Sequence, residues 1–344
     1  MKLLQTMAGA PVGGAEGFFE RLAVGLAARG TNQSFVVRPD TAREALLSGT
    51  GAAVETAPFG GFLDISIRRT IANVIRRQKP DIVLSWMNRA TSHCPESTGA
   101  DGFIHIGTPR GYYDPKYYRK CDHLVVTTDD LQNFYCEAGW LSERVSVVPN
   151  FVPDLRKPAI ARSEFETPDD VPLLLALGRL HKNKGFDILI QAMTALPDHF
   201  LWIGGTGPLE QMLKDQAKAL NVENRLRFLG WQDDTAPLFA AADMFVCSSR
   251  HEPFGNIIIE AWMQETPIVA IDSEGPGALI QDGNTGVLTR PEDPDALAAA
   301  IGSLSRSPNI ASALMKAGRN EYEQLYSEDV IVPRYISLFE RLTG

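Results

Sequence analysis

The feature that most constrains the fold is a regular alternation of short apolar runs with longer amphipathic stretches along the whole chain. Short apolar runs bounded by turn residues are typical of buried strands, and amphipathic stretches are typical of covering helices. The alternation therefore predicts an α/β fold of βαβ units around parallel sheets. The predicted strands are residues 2–6, 34–38, 82–85, 103–106, 123–127 and 145–148 in the first half, and 173–177, 199–203, 226–228, 244–247, 267–271 and 286–288 in the second.

A chain of 344 residues is longer than a usual single domain, so two domains are expected. Five prolines lie among acidic residues between positions 149 and 172, which is typical of a linker. We expect a first Rossmann-like domain over 1–152, a second over 153–327, and a cleft between them. A C-terminal helix at about 328–344 is expected to be able to pack back on the first domain.

Composition excludes several classes of protein. The net charge of −9 argues against nucleic-acid binding, and the acidic excess lies in the second half. The apolar runs are too short to cross a bilayer, and the first residues lack the apolar core of a signal peptide, so a cytoplasmic location is expected. The four cysteines form no Cys-x-x-Cys pair and have no zinc-ligand spacing with the histidines, which indicates free thiols.

The strongest site motif is a pair of glutamates with seven residues between them, Glu252 and Glu260. A Pro-Phe-Gly turn precedes a predicted helix that begins near 254–256. Because helical side chains lean towards the amino end, Glu260 is expected to point back to the rim that carries Glu252. Carboxylates suit sugar hydroxyls, and the N–H groups of a first helical turn suit phosphate or sugar oxygens. A helix with a charged first turn, favoured by its dipole, is the open alternative.

A basic Gly-Arg-Leu-His-Lys-Asn-Lys-Gly motif at 178–185 directly follows the predicted strand at 173–177. Open α/β sheets bind ligands at the carboxyl ends of their strands. Arg179, with its paired N–H donors, and Lys184, with its compact charge, are suited to bind a diphosphate. They would stabilise the diphosphate as a leaving group without a metal. A solvated basic loop is the alternative.

Two glycine-rich loops also follow predicted strands, at 11–17 and 204–208. Glycines let the backbone approach a ligand, although a tight strand-to-helix turn requires them equally. Glu210 stands where a nicotinamide-binding fingerprint would have its third glycine, which disfavours a dehydrogenase. The Asp293-Pro294-Asp295 sequence is similar to a metal-binding Asp-x-Asp motif, but we interpret it as a helix start capped by Asp293.

Taken together, these motifs resemble family 4 of the retaining glycosyltransferases, which have the GT-B fold of two Rossmann-like domains facing a central cleft. The Gly-Gly-Ala-Glu loop, the Gly-Arg-Leu…Lys-Gly loop, the 204–208 loop, Ala242-Asp243 and the two glutamates occur in the expected order over the whole chain. The chain departs from the family pattern at two places. Gln264-Glu265-Thr266-Pro267 replaces the usual glycine before the proline, and Ala278 stands where many members have glutamate.

The resemblance implies roles for matching residues. Arg179 and Lys184 would bind the donor diphosphate, Glu252 would contact the transferred sugar, and Glu260 would hold the ribose hydroxyls. His105, at the end of a predicted strand, would match the active-site histidine of the family, and a buried structural histidine is the alternative. The other implied donor contacts are Gly13, Gly14, Gly178, Gly205, Phe254, Gly255, Asn256 and Ile257.

The resemblance also implies a nucleotide diphosphate-sugar donor (UDP-, GDP- or ADP-sugar), a saccharide or lipid-linked acceptor, retention of anomeric configuration, and no cofactor or metal. Segments 85–90 and 111–118 resemble bacterial transferases of lipopolysaccharide core or surface polysaccharide synthesis. Two alternatives stay open: a sugar-nucleotide epimerase of the same fold, and a non-catalytic nucleotide-sugar-binding protein.

A last expectation is peripheral contact with an anionic membrane, at the inner face of the cytoplasmic membrane. The pattern of residues 64–79 predicts an amphipathic helix with arginines opposite an Ile/Val face. In residues 112–120, tyrosines are mixed with basic residues. The alternative is that the apolar face packs on the sheet. The face with the isoleucines and the valine carries Ile67, Ile71, Val74 and Ile75, with Gln78 at its end. The second patch comprises Tyr112, Tyr113, Lys116, Tyr117, Tyr118, Arg119 and Lys120.

Overall fold

The predicted apolar runs form the strands of two parallel sheets in the computed structural model, which describes residues 1–11, 13–60, 65–97 and 102–344. The first unit comprises Met1–Pro153 together with Glu328–Gly344, and the second comprises Asp154–Ser327. The predicted α/β class with two parallel sheets is confirmed.

The first unit has a seven-stranded parallel sheet in the order β3-β2-β1-β4-β5-β6-β7. Its strands are β1 (Lys2–Met7), β2 (Asn32–Val37), β3 (Ala53–Thr56), β4 (Ile82–Trp86), β5 (Ile104–Thr108), β6 (His123–Val126) and β7 (Val145–Val147). Its helices are α1 (Gly14–Ala28), α2 (Thr41–Gly49), α3 (Ile65–Gln78), α4 (Met87–His93), α5 (Asp129–Glu137) and the C-terminal helix, Glu328–Thr343.

Helices cover both faces of this sheet because successive strand residues point to opposite sides. Leu3 packs with Phe18 of α1 and with Ile331 of the C-terminal helix, whereas Leu4 packs with Ile67 of α3. Both faces are therefore apolar, as in other parallel sheets.

The second unit has a six-stranded parallel sheet in the order β10-β9-β8-β11-β12-β13. Its strands are β8 (Leu173–Leu177), β9 (Phe200–Gly204), β10 (Leu226–Gly230), β11 (Met244–Cys247), β12 (Ile268–Ile271) and β13 (Val287–Thr289). Its helices are α6 (Phe186–Ala192), α7 (Glu210–Ala219), α8 (Ala236–Ala241), α9 (Asn256–Met263), α10 (Glu274–Leu279), α11 (Pro294–Ser305) and α12 (Pro308–Glu321); the C-terminal helix of the first unit is α13.

In the first unit one strand was missed and the bounds of the predicted strands shift by one or two residues. Strand β3 was not predicted, because Ala53–Thr56 is a short, half-exposed edge strand with little apolar pattern. Strand β5 runs from Ile104 to Thr108 rather than over 103–106, so it continues through a glycine and a threonine that carry no apolar signal.

Helix α9, which carries Glu260, is fixed by its buried tryptophan. The indole Nε1 of Trp262 donates a hydrogen bond to the backbone oxygen of Thr285 at 2.8 Å. A Cβ atom on Gly318 of α12 would lie 2.3 Å from the indole ring, so α12 lies directly against it. Packing therefore sets the position of the helix without involving its exposed face.

Helix α13 completes the first unit through both packing and charge. Its Tyr335 is fully buried, and the hydroxyl of Tyr335 accepts a hydrogen bond from Arg110 Nη2 at 3.1 Å. The Arg110 guanidinium lies over the rings of Phe18 and Trp86, at 4.8 and 4.5 Å from their centroids. At the start of α13, Glu328 pairs with Arg29 at 3.0 Å.

In the part of the chain that the structure describes, no helix combines the length and the apolar character needed to cross a membrane.

Candidate active site

The predicted site residues of the second unit lie at the carboxyl edge of its sheet. Strands β9, β8 and β11 are neighbours, and each is followed there by one of the predicted motifs. We name residues 178–185 the Lys184 loop and residues 248–255 the Glu252 loop. Since open parallel sheets bind ligands outside the carboxyl ends of their strands, the structure places these motifs where a ligand is expected.

The glycines of the Lys184 loop and of the loop after β9 bring two backbones into contact. Leu180 N–H donates to Thr206 O at 2.9 Å, and Gly178 N–H donates to Gly204 O at the same distance. Gly178 has φ 150° and Gly205 has φ 135°, and a Cβ on Gly205 would lie 2.0 Å from Gly178 O. Glycine is thus required here by the fold itself, and the predicted donor contacts of Gly178 and Gly205 stay predictions.

Backbone hydrogen bonds join the Lys184 loop to the Glu252 loop. The carbonyl oxygen of Asn183 accepts from Arg250 N–H at 2.8 Å and from His251 N–H at 3.2 Å. Ser248 Oγ donates to Lys184 O at 2.9 Å. The two loops therefore form one rigid rim.

The Lys184 ammonium and the Glu252 carboxylate form an ion pair across this rim. The two side chains are 23% and 15% exposed, so the pair is partly buried but still accessible to solvent. The Arg179 side chain of the same loop is exposed. The structure thus brings together two of the predicted residues, Lys184 and Glu252, and leaves the Arg179 side chain of the same loop exposed.

The turn before α9 has the predicted form. Gly255 has φ 96°, which favours glycine, and the helix begins at Asn256. Phe254 is 6% exposed and packs inward, whereas Asn256 and Ile257 are partly exposed at the helix start. Any donor contact of Phe254 would therefore be made by its backbone.

Glu260 lies one turn inside α9, as the spacing predicted. Its Oε2 is 3.3 Å from the hydroxyl of Thr235, in the segment that follows β10. The carboxylate thus lies between α9 and the segment that joins β10 to α8. Its predicted contact with a ribose stays a prediction.

Arg250 is a residue that the sequence did not single out. Its guanidinium bonds both carboxylate oxygens of Asp187, at 2.6 and 2.7 Å, and both of Glu292, at 2.5 and 3.0 Å. Its Nη1 also donates to Lys182 O at 3.1 Å. Hydrogen bonds to the two carboxylates raise the pKa of Arg250. The side chain therefore ties the Glu252 loop to the Lys184 loop as a permanent cation.

The glycine-rich loop of the first unit is built around a carboxylate. Glu16 is 9% exposed and accepts a hydrogen bond from Ala10 N–H at 2.8 Å. Cβ atoms on Gly9 and Gly13 would lie 2.6 and 2.2 Å from this carboxylate. Gly13 makes room for Glu16, and both Gly13 and Gly14 are exposed. Val12 of this motif lies outside the described residues.

His105 is the second residue of β5 and lies near the amino end of the strand. The predicted strand was shorter and had placed His105 near its carboxyl end. Its ring is fully buried, and Nε2 is 2.9 Å from Ser85 Oγ and 3.8 Å from Cys121 Sγ. Burial lowers the pKa of His105 to about 4. These surroundings support the structural alternative, and a catalytic role for His105 stays a prediction.

The interpretation of Asp293 as a helix cap is confirmed. Its carboxylate accepts from Ala296 N–H at 2.8 Å, and Pro294 is the first residue of α11. Among the residues described, no group of three or more His, Cys, Asp or Glu side chains is placed to hold a metal ion.

Solved structures share this fold over nearly the whole chain. HepE of Anabaena, in complex with UDP and with UDP-glucose, superposes with a TM-score of 0.82 and covers 99% of this chain and 100% of its own. At 20% identity the likeness concerns the fold.

Family models and relatives agree with the fold. A model described as "Glycosyltransferase Family 4" matches residues 12–156, and one described as "Glycosyl transferases group 1" matches 159–321. The lipopolysaccharide core biosynthesis glycosyltransferase LpsE of Rhizobium meliloti is 35% identical over 95% of both chains. LpsD of the same organism is 32% identical over 96% of this chain and 95% of its own.

The two-sheet fold is GT-B, and the family models and relatives show that the chain is a glycosyltransferase. Because LpsE is 35% identical over 95% of this chain, the chain belongs to glycosyltransferase family 4, among homologues of the lipopolysaccharide core transferases.

We predict that His105 makes the protein sensitive to acid. Between pH 6.5 and 4 the unfolded chain protonates this ring whereas the folded chain does not, so stability falls as pH falls. At pH 5 the expected loss from this ring is about 2 kcal/mol relative to pH 7. Urea unfolding of wild type and His105→Asn at both pH values measures it.

Burial also lowers the pKa of His123 to about 4. His123 therefore keeps part of the acid sensitivity in the variant and serves as the internal reference. An equal pH dependence in wild type and His105→Asn would contradict the prediction.

Proposed function

We propose that this protein transfers a sugar from a UDP-sugar to a lipopolysaccharide core acceptor, with retention of configuration and without a metal. The observation that carries the proposal is the Lys184–Glu252 ion pair, in a loop that also exposes Arg179, at the carboxyl edge of the second sheet. The UDP complexes of HepE support the choice of base, and LpsE and LpsD support the acceptor class.

In this proposal the second unit binds the donor. Arg179 and Lys184 hold the diphosphate, Glu252 contacts the sugar, and Glu260 holds the ribose. The bond from the sugar C1 to the diphosphate oxygen breaks while an acceptor hydroxyl bonds C1 on the same face. The proton of that hydroxyl passes to the leaving phosphate. Because charge develops on the diphosphate, the two cations stabilise the transition state more than the ground state.

We expect Arg179→Ala and Lys184→Ala each to lower turnover at least about a hundredfold, since removal of one preorganised charge costs roughly 3–4 kcal/mol. Turnover with UDP-sugar donors and a lipopolysaccharide core acceptor measures the loss. Lys182→Ala is the matched control, because the Lys182 side chain is an exposed cation of the same loop. Wild-type rates in either site variant would refute the diphosphate grip, and product formed without any acceptor would favour an epimerase.

Activity is expected to survive EDTA, because side-chain cations take the place of a metal at the diphosphate. Initial rates before and after chelation, and after addition of manganese, test this. A loss that manganese restores would overturn the metal-free mechanism.

We further propose an electrostatic contact of the first unit with anionic lipid at the inner face of the cytoplasmic membrane. The apolar face of α3 is not available for insertion, because Ile67, Ile71, Val74 and Ile75 are buried against the sheet. That part of the amphipathic-helix interpretation was wrong, and the core-packed alternative holds. Tyr118 is also fully buried, so it does not belong to the second patch.

The outward residues of α3 remain basic and support the contact. Arg68, Arg69 and Arg76 are exposed, and Lys79 is exposed just beyond the helix. Arg77 pairs with Glu55 and offers less charge. Each basic residue near an anionic surface adds about 1 kcal/mol of attraction.

We expect wild type to sediment with vesicles containing phosphatidylglycerol at low salt, and Arg68/Arg69/Arg76→Glu to remain in solution. Lys214/Lys218/Lys316→Glu makes the same charge change on exposed residues of the second unit and serves as the control. Equal sedimentation of the two triple variants would refute the membrane contact.

A further inference from the structure

The first residue of α10, Glu274, lies against the Glu252 loop. Its Oε1 is 2.6 Å from His251 Nδ1, and its Oε2 accepts the backbone N–H of Glu252 at 3.2 Å. One carboxylate thus holds two successive residues of the loop.

The next residue, Gly275, brings the backbone of α10 onto the same loop. Gly275 N–H donates to the backbone oxygen of Glu252 at 2.7 Å. A Cβ atom on Gly275 would lie 2.3 Å from Phe254 O and 2.4 Å from Glu252 O, so no side chain fits between the two segments. Both backbone hydrogen-bonding groups of Glu252 are therefore held by residues 274 and 275.

The charge of Glu274 suits this contact. Its side chain is 35% exposed. Partial burial raises the pKa of Glu274, but hydrogen bonds from its own backbone N–H, from His251 and from Glu252 N–H outweigh burial and lower the pKa overall. The side chain is therefore an anion at neutral pH, able to accept at both oxygens.

Three contacts consequently converge on Glu252. Lys184 holds its carboxylate, and residues 274 and 275 of α10 hold its N–H and its carbonyl oxygen. We propose that Glu274 is a positioning residue, which fixes the Glu252 loop so that the Glu252 carboxylate meets the transferred sugar. The inference rests on the proposed function in its assignment of the sugar contact to Glu252.

A positioning role has a kinetic signature. Arg179, Lys184 and Glu260 hold the nucleotide in the proposed function, and Glu274 bonds only residues of the Glu252 loop among the contacts described above. Loss of Glu274 is therefore expected to lower kcat with little change in the donor KM. A misplacement of about 1 Å at a reacting centre can cost up to about a hundredfold in rate, so we expect a loss of about tenfold or more.

The experiment is a double-mutant cycle on kcat and donor KM, with Glu252→Ala, Glu274→Ala and the double variant. If Glu274 acts through Glu252, the double variant has the same kcat as Glu252→Ala alone, because the loop no longer carries the group to be positioned. Glu274→Gln should recover most of the activity. Its amide oxygen can accept from Glu252 N–H, and its NH2 group can donate to an unprotonated Nδ1.

Asp295→Ala is the matched control, since it removes an exposed carboxylate from the first turn of another helix in the same unit. Thermal melting of every variant verifies that the unit is folded, and Glu274→Gln keeps the cycle informative if Glu274→Ala melts early.

The outcomes separate this inference from the proposed function. Wild-type activity in Glu252→Ala would refute the proposed sugar contact and this inference with it. Loss in Glu252→Ala with none in Glu274→Ala would refute the positioning role alone. Losses that multiply in the double variant, or a raised donor KM in Glu274→Ala, would show that Glu274 acts on the donor directly and would also overturn the positioning role.

Discussion

One carbonyl oxygen, that of Asn183, holds the two charged loops of the second unit together by accepting two backbone N–H groups. Because the bonds are made by the main chain, the spacing of the loops does not depend on the rotamer of any exposed side chain. Lys184 and Glu252 are consequently held within ion-pair distance of each other. Arg250, with its partners Asp187 and Glu292, and the first residues of α10 also contact this rim.

The fold was predictable because strands of a parallel sheet are buried on both faces and are therefore nearly continuous apolar runs in the sequence. Leu173–Leu177 and Met244–Cys247 were predicted with their observed bounds for this reason. The signal fails where a strand is exposed or contains small residues. Ala53–Thr56 was missed as an edge strand, and the last residues of β5 were missed because Gly107 and Thr108 are not apolar.

The candidate site was predictable only residue by residue. The prediction that Glu252 precedes a helix and that Glu260 lies one turn inside it was correct, because it depends on local geometry alone. The residues that hold the Glu252 loop lie far from it in sequence: Asp187 is 63 positions from Arg250, and Glu274 is 22 positions from Glu252. No local pattern marks such partners, since the topology of the sheet creates the contacts. Because the predicted strand at 103–106 stopped short of Gly107 and Thr108, it placed His105 near the carboxyl end of β5 instead of near the amino end.

The last helix of the chain belongs to the first unit, where Ile331, Val332 and Tyr335 are buried with Phe18 and Leu22 of α1. During synthesis most of the first unit is made first, yet the apolar face of α1 that packs on α13 has no cover until residues 328–344 leave the ribosome. The second unit, Asp154–Ser327, is continuous and has its whole core available earlier. Translation therefore imposes an order in which the later-made unit can finish folding first, while the first-made unit waits with an aggregation-prone face exposed.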